Sequence, residues 1–143
     1  MTHDQLIDGI SDAIANMEGF YLKDRPSMAQ RNLNPGNIRQ WANKGKPYPT
    51  FQGYVDFGAW ALLGGLSRSE GLAEGWRVLK ALVGQYAAGK YTEGKVPTLY
   101  EMFQKYAPSA DANHPKGYAE FVAKKIGIPP DRPLNQIEPS TNA

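Results

Sequence analysis

The feature that most limits what this chain can fold into is a helical stripe with an abrupt stop. Leu6, Ile10, Ala13, Ile14 and Met17 recur at intervals of three and four, Thr2 and Gln5 stand at capping-box spacing ahead of them, and Gly19 follows. The spacing predicts a helix over about 3–18 that buries one face and ends at the glycine. Such a helix needs a surface to pack on. The 143-residue chain has no cysteine, so neither disulfides nor thiolate metal sites can supply one, and the fold must stand on packing alone. One domain suffices at this length.

Downstream, the stretch from Leu22 to Pro35 is polar and rich in Pro and Asn, and reads as an ordered loop with turns. Two short extended pieces, "NIRQW" and "YPTFQGY", are separated by "ANKGKP" and suggest one small hairpin. Asp56 is placed to cap a helix over "FGAWALLGGLSRS", in which Gly64 and Gly65 either weaken the helix or let another backbone approach. In "LAEGWRVLKALVGQYAAG" the residues Trp76, Leu79, Leu82, Val83 and Tyr86 share one stripe. Thr98 and Glu101 form a second capping box ahead of "TLYEMFQKYA", and Pro115 suits the first turn of "PKGYAEFVAKKIG". The expected organisation is a mostly helical α+β domain over 1–128 and a Pro-rich tail over 129–143 that lies on the surface or frays.

One acid is out of place in this pattern. Glu18 follows Ile14 by four residues and Ile10 by eight, which puts it at the edge of the buried stripe and at the negative end of the helix dipole. Desolvation and the dipole both raise a carboxyl pKa there, and an acid kept protonated near neutral pH is what general acid catalysis requires. The plainer reading is a half-exposed residue making a local hydrogen bond. In "NLNPGN" the Pro presets φ, the Gly accepts a positive φ and the Asn side chains satisfy backbone groups, which is a turn signature in its own right.

The segments "AIANMEGF", "AQRNLNPGNI", "YPTFQGYVDFGAWAL" and "KYAPSADANHPKGYAEFVAKKIGI", in that order from about Ile10 to Ile128, resemble phage and prophage endolysin-type proteins of the lysozyme-like superfamily. The resemblance implies a lysozyme-like fold, with a small β-hairpin beside a helical body and Glu18 in the cleft between them as the catalytic acid. It implies cleft positions for Asn34 and Asn37, and a second wall in which Tyr106 and Asn113 sit across from the acid. Tyr106 reads equally as a core aromatic at a helix end. Gln30 and Arg31 flank the loop, either within reach of a substrate or on a solvated surface. Tyr48, Tyr54, Tyr118 and Trp41 are either sugar-stacking faces or core.

The activity this implies is muramidase cleavage of peptidoglycan glycan strands between N-acetylmuramic acid and N-acetylglucosamine. Ordinary glycoside hydrolysis takes two carboxylates, about 5 Å apart for retention or about 6.5–9.5 Å for inversion. Asp24 and Asp56 are the candidates, with Asp56 reading as much like a helix cap, and neither sits in a recognisable second-carboxylate motif. A single acid also works if Glu18 then takes the muramyl hydroxyl proton and leaves an anhydro sugar, the lytic transglycosylase outcome. A chitin-degrading enzyme and a non-catalytic wall-binding or particle module are the other readings, since fold does not entail activity.

His3 and His114 lack metal-ligand spacing and "GKYTEGK" lacks that of a phosphate loop, so no metal and no cofactor are expected. The formal charge of +2 is too mild to demand nucleic acid. The N-terminus lacks a signal-peptide pattern, and no run approaches the roughly 20 apolar residues of a membrane span. The expectation is a monomer made in the cytoplasm that reaches the wall by release after membrane lesions, by a particle, or by a secretion machine.

Overall fold

The computed structural model describes residues 1–39, 42–43, 46–106 and 114–137. It is a mostly helical α+β protein with small antiparallel sheets. The described helices are α1 (His3–Met17), α2 (Met28–Arg31), α3 (Phe57–Leu63), α4 (Arg68–Ala87), α5 (Leu99–Tyr106) and α6 (Pro115–Ile126). Contacts divide the chain into two units, Ile14–Lys80 and Met1–Ala13 with Ala81–Ala143.

Four helix starts use the same reciprocal hydrogen bonds. Thr2 with Gln5, Ser27 with Gln30, Ser67 with Glu70 and Thr98 with Glu101 each exchange a side-chain acceptor for the other's backbone N–H at 2.8–3.2 Å. The first and last are the boxes expected from sequence. Ser67–Glu70 moves the α3–α4 boundary: α3 stops at Leu63, Gly64 and Gly65 terminate it, and "SRS" opens α4. Ser27–Gln30 makes a short helix where a loop was expected.

In the Ile14–Lys80 unit, Leu33, Tyr48, Val55, Phe57 and Val78 form a buried cluster with Ile38, Trp60 and Leu72 against it. The close approach comes from Gly71 and Gly75, one turn apart on α4. A Cβ at Gly71 would stand 2.7 Å from the Phe57 carbonyl oxygen, and one at Gly75 would collide with the Leu33 carbonyl oxygen and stand 3.0 Å from Pro35 Cδ. Two glycines in a helix interior cost about 1 kcal/mol each relative to alanine. They let the backbone of the "NLNPG" turn lie on the helix.

The single hairpin expected between "NIRQW" and "YPTFQGY" is instead two short ones. Strands β1 (Ala42–Asn43) and β2 (Lys46–Pro47) pair within "ANKGKP", and β3 (Thr50–Phe51) pairs with β4 (Tyr54–Val55). Gln52 and Gly53 both take positive φ, 52° and 87°, as a two-residue turn matched to strand twist requires. "NIRQW" joins through Arg39, bridged to Tyr54, and through the Val55 N–H donated to the Ile38 carbonyl at 2.9 Å.

In the other unit, α5 and α6 pack through Leu99, Met102 and Phe103 against Tyr118, Ala119 and Val122, all buried, with Phe103 and Tyr118 stacked at 4.7 Å. Gly9 of α1 receives Ile126 at 3.1 Å from an imagined Cβ. The tail does not fray over its described part. Leu134 is buried and its N–H donates to the Pro97 carbonyl, while the Tyr100 N–H donates to that of Pro130. Prolines fix φ along this segment, which turns at 130–131 and closes a 3-10 helix over Leu134–Gln136, and one leucine anchors it.

Candidate functional site

Helix α1 ends in a Schellman motif, and Glu18 is its C-cap. The Phe20 N–H reaches the Ala15 carbonyl at 3.0 Å, the Gly19 N–H reaches that of Asn16 at 3.2 Å, and Gly19 takes φ 84°. Glu18 itself donates its N–H to the Ile14 carbonyl at 2.9 Å and is half-buried.

The carbonyls that follow are pinned by α2. Ser27 Oγ donates to the Gly19 carbonyl at 2.8 Å, and Gln30 Nε2 donates to the Phe20 and Leu22 carbonyls at 3.0 and 2.7 Å. The Phe20 ring meets Trp76 edge-on at 5.7 Å. The backbone carrying Glu18 is therefore fixed on both sides, as a positioned acid needs.

Of the polar residues expected to line a cleft, two have both amide hydrogens placed on main-chain carbonyls. Asn34 has no exposed surface. Its Nδ2 donates to the Ile38 and Val55 carbonyls at 2.9 and 3.0 Å, and its Oδ1 accepts from the Ile38 N–H at 2.9 Å. An amide holds two donor hydrogens, so both are taken, and the Asn34 side chain ties the turn to β4. Gln30, half-buried, is engaged in a similar way: both its donor hydrogens go to carbonyls and its Oε1 accepts from the Ser27 N–H.

Asn37 differs. It sits at φ 47°, half-buried, and its Oδ1 is buried with no hydrogen-bond partner among the described residues. Nearby in sequence, Asn32 Nδ2 is in the same condition, although its Oδ1 accepts from Arg31 at 2.6 Å. Unpaired buried polar atoms cost about 1–3 kcal/mol each, so Asn37 keeps unused capacity at an expense to the fold.

The two candidate second carboxylates also part company. Asp56 is buried, caps α3 through the Ala59 N–H at 3.0 Å, and pairs with Arg31 at 3.0 Å. Arg31 in turn lies 3.4 Å over the Phe51 ring, so its exposed face covers the hairpin. Asp24 is exposed.

A cluster that the sequence reading passed over lies in the same unit. Tyr48 donates its hydroxyl to Glu74 Oε2 at 2.6 Å, and Arg77 forks onto both Glu74 oxygens at 2.6 and 2.8 Å. The Arg77 bonds hold the Glu74 carboxyl below the usual carboxylate range against the opposing pull of burial, with Tyr48 adding to the lowering. The signal was present as an (i, i+3) acid–base pair on α4.

Tyr106 ends α5 and is half-buried, edge-on to Tyr86 at 5.3 Å and to Phe103 at 5.7 Å. Tyr48 and Tyr118 belong to the core, and Tyr54 lies 5.0 Å beneath the Arg39 guanidinium. Asn113 and Trp41 lie outside the described residues. Among the described residues no three His, Asp or Glu side chains gather as a metal site, and no helix is long and apolar enough to cross a membrane.

The chain was compared with protein-family models, curated proteins and solved structures, and none of the three gives a match.

Proposed function

We propose that this chain cleaves the glycan strand of peptidoglycan between N-acetylmuramic acid and N-acetylglucosamine, on a lysozyme-like arrangement, with Glu18 as the general acid. The observation that carries the reading is the setting of Glu18: a half-buried glutamate at the C-cap of α1, with the backbone on either side held by hydrogen bonds. The resemblance of "AIANMEGF" and "AQRNLNPGNI" to endolysin-type proteins supplies the substrate class. In this mechanism Glu18 protonates the glycosidic oxygen as the C1–O bond breaks, and the muramyl ring passes through an oxocarbenium-like state.

A second reading concerns how that state collapses. Asp56 is engaged by a helix cap and by Arg31, Glu74 by Arg77 and Tyr48, and Asp24 is open to water. None of them is a poised base. This favours a single-acid route in which Glu18, now ionised, takes the proton of the muramyl C6 hydroxyl as that oxygen closes on C1 to give the anhydro sugar.

Mass spectrometry of muropeptides from purified sacculi distinguishes the outcomes. Reducing muramic ends mean hydrolysis, and anhydro ends mean the single-acid route. Free amino termini from cut stem peptides, or digestion of chitin with sacculi left intact, contradict the proposal.

A further inference from the structure

The loop after α4 is built at local expense. Gly89, Glu93 and Gly94 all take positive φ, at 90°, 56° and 81°, and a Cβ at Gly89 would stand 2.6 Å from the Lys95 carbonyl oxygen. The loop is closed on itself. The Lys90 N–H donates to the Gln85 carbonyl, the Thr92 and Gly94 N–H groups to that of Gly89, and Thr92 Oγ1 to that of Lys95. These bonds hold the backbone on both sides of Tyr91.

The Tyr91 ring folds back on Tyr86 with centroids 4.3 Å apart and planes 33° from parallel, while 38% of the residue stays open to solvent. Its hydroxyl is tied to Gln85 Oε1 at 3.2 Å. Burial and the neighbouring Tyr91 push the Tyr86 phenol above its ordinary value, so this ring stays neutral across the physiological range. Lys90 Nζ stands 5.6 Å from the Tyr91 centroid and 3.5 Å from the same Gln85 oxygen, both neutral groups. Its charge is not cancelled by either neighbour. Lys95, by contrast, is paired with Glu101.

We propose that Tyr91, backed by Tyr86 and flanked by Lys90, is a carbohydrate-binding platform that stacks one pyranose ring of an N-acetylated glycan and meets a carboxylate substituent of that glycan with the lysine. A half-exposed aromatic ring backed by a second ring matches the apolar C–H face of a sugar, and an ammonium with only neutral partners among the described residues matches a lactyl or stem-peptide carboxylate. The assignment of peptidoglycan over other glycans rests on the function proposed above; the platform itself rests on the loop.

The test uses full-length Glu18→Gln protein, so that nothing is turned over, titrated calorimetrically with a tetrasaccharide of alternating N-acetylglucosamine and N-acetylmuramic acid, and with chitotetraose. Tyr91→Ala is expected to weaken both by about tenfold, while Tyr91→Phe, which keeps the ring, stays within about threefold. Lys90→Gln is expected to weaken only the muramic ligand. An unchanged melting curve for each variant reports an intact fold.

If the wild type cleaves sacculi and Tyr91→Ala both binds and cleaves as well as it does, the platform is overturned and the enzymatic reading stands. Should the wild type bind glycans through Tyr91 without cleaving sacculi, the enzymatic reading falls and the platform stands. No binding of either oligosaccharide and no cleavage overturns both.

Discussion

The connection after α1 and the connection after α4 solve opposite problems. Within residues 18–38 three polar side chains turn inward, Ser27, Gln30 and Asn34 bonding main-chain groups, and Asp56 and Arg31 clamp the turn to the start of α3, while residues 21–26 stay exposed. Residues 88–95 close on local bonds and positive-φ backbone, and their most prominent product is a tyrosine ring left partly open to water. The lesson is that polarity in a loop does not identify contact with a ligand. An amide with both hydrogens placed on carbonyls has no donor left for a substrate, whereas a half-exposed tyrosine keeps part of its ring open to solvent beside the Lys90 ammonium.

The sharpest way to break the first connection is from the helix beneath it. Gly75→Ala places a methyl group into the Leu33 carbonyl and the Pro35 ring, and α4 cannot move without disturbing Phe57. The expected loss is about 3 kcal/mol, or roughly 10 °C in Tm by differential scanning calorimetry. A shift under 2 °C would mean the turn does not rest on the helix.

Asn34→Ala comes next. It leaves the Ile38 and Val55 carbonyls and the Ile38 N–H without that partner in a buried place, and about 2–3 kcal/mol should be lost in urea unfolding. A variant that keeps its stability and loses only glycan binding would restore Asn34 to the cleft and undo the contrast.

A smaller effect is expected at Glu74, and it depends on pH. Its folded carboxyl lies below the ordinary value of 4.5, so its contribution is fully present above that value and is lost as pH falls through the lower folded one. Arg77 is largely exposed and solvent screens the pair, so the contribution is about 1 kcal/mol or less. Glu74→Gln should narrow the stability difference between pH 6 and pH 3 in parallel urea titrations. An unaltered acid limb would assign that limb to other carboxylates.

The smallest effect belongs to the second connection. Tyr91→Ala should cost no more than about 1 kcal/mol, because the ring covers Tyr86 from outside and the loop closes through its own backbone. A loss as large as that of Asn34→Ala would make Tyr91 a core residue.

How much of this was legible follows the same division. Capping boxes are local and carry their own spacing, so Thr2/Gln5 and Thr98/Glu101 were readable, and Asp56 was readable as a cap. Ser27/Gln30 has the same spacing but no apolar run behind it, and α2 was passed over as loop. Gly71 and Gly75 look like helix weakeners until the turn that rests on them is known. The two-residue strands are set by Gln52 at φ 52°, a conformation that glutamine does not advertise. For the site, position on the stripe put Glu18 at the helix end, where it lies. Which amide was spent inside the fold was a matter of long-range partners such as Val55, and no spacing encodes those.

The central proposal is that Glu18 supplies the chemistry, while Gln30 and Asn34 of the polar turn behind it hold the backbone in shape. Its most direct measurement is the rate of turbidity loss on purified sacculi by Glu18→Gln, taken with its unfolding midpoint. The amide keeps the size and much of the hydrogen bonding of the acid but has no proton to give, so lysis should fall at least a hundredfold while Tm stays within about 2 °C of wild type. A variant that clears sacculi at the wild-type rate would contradict the account.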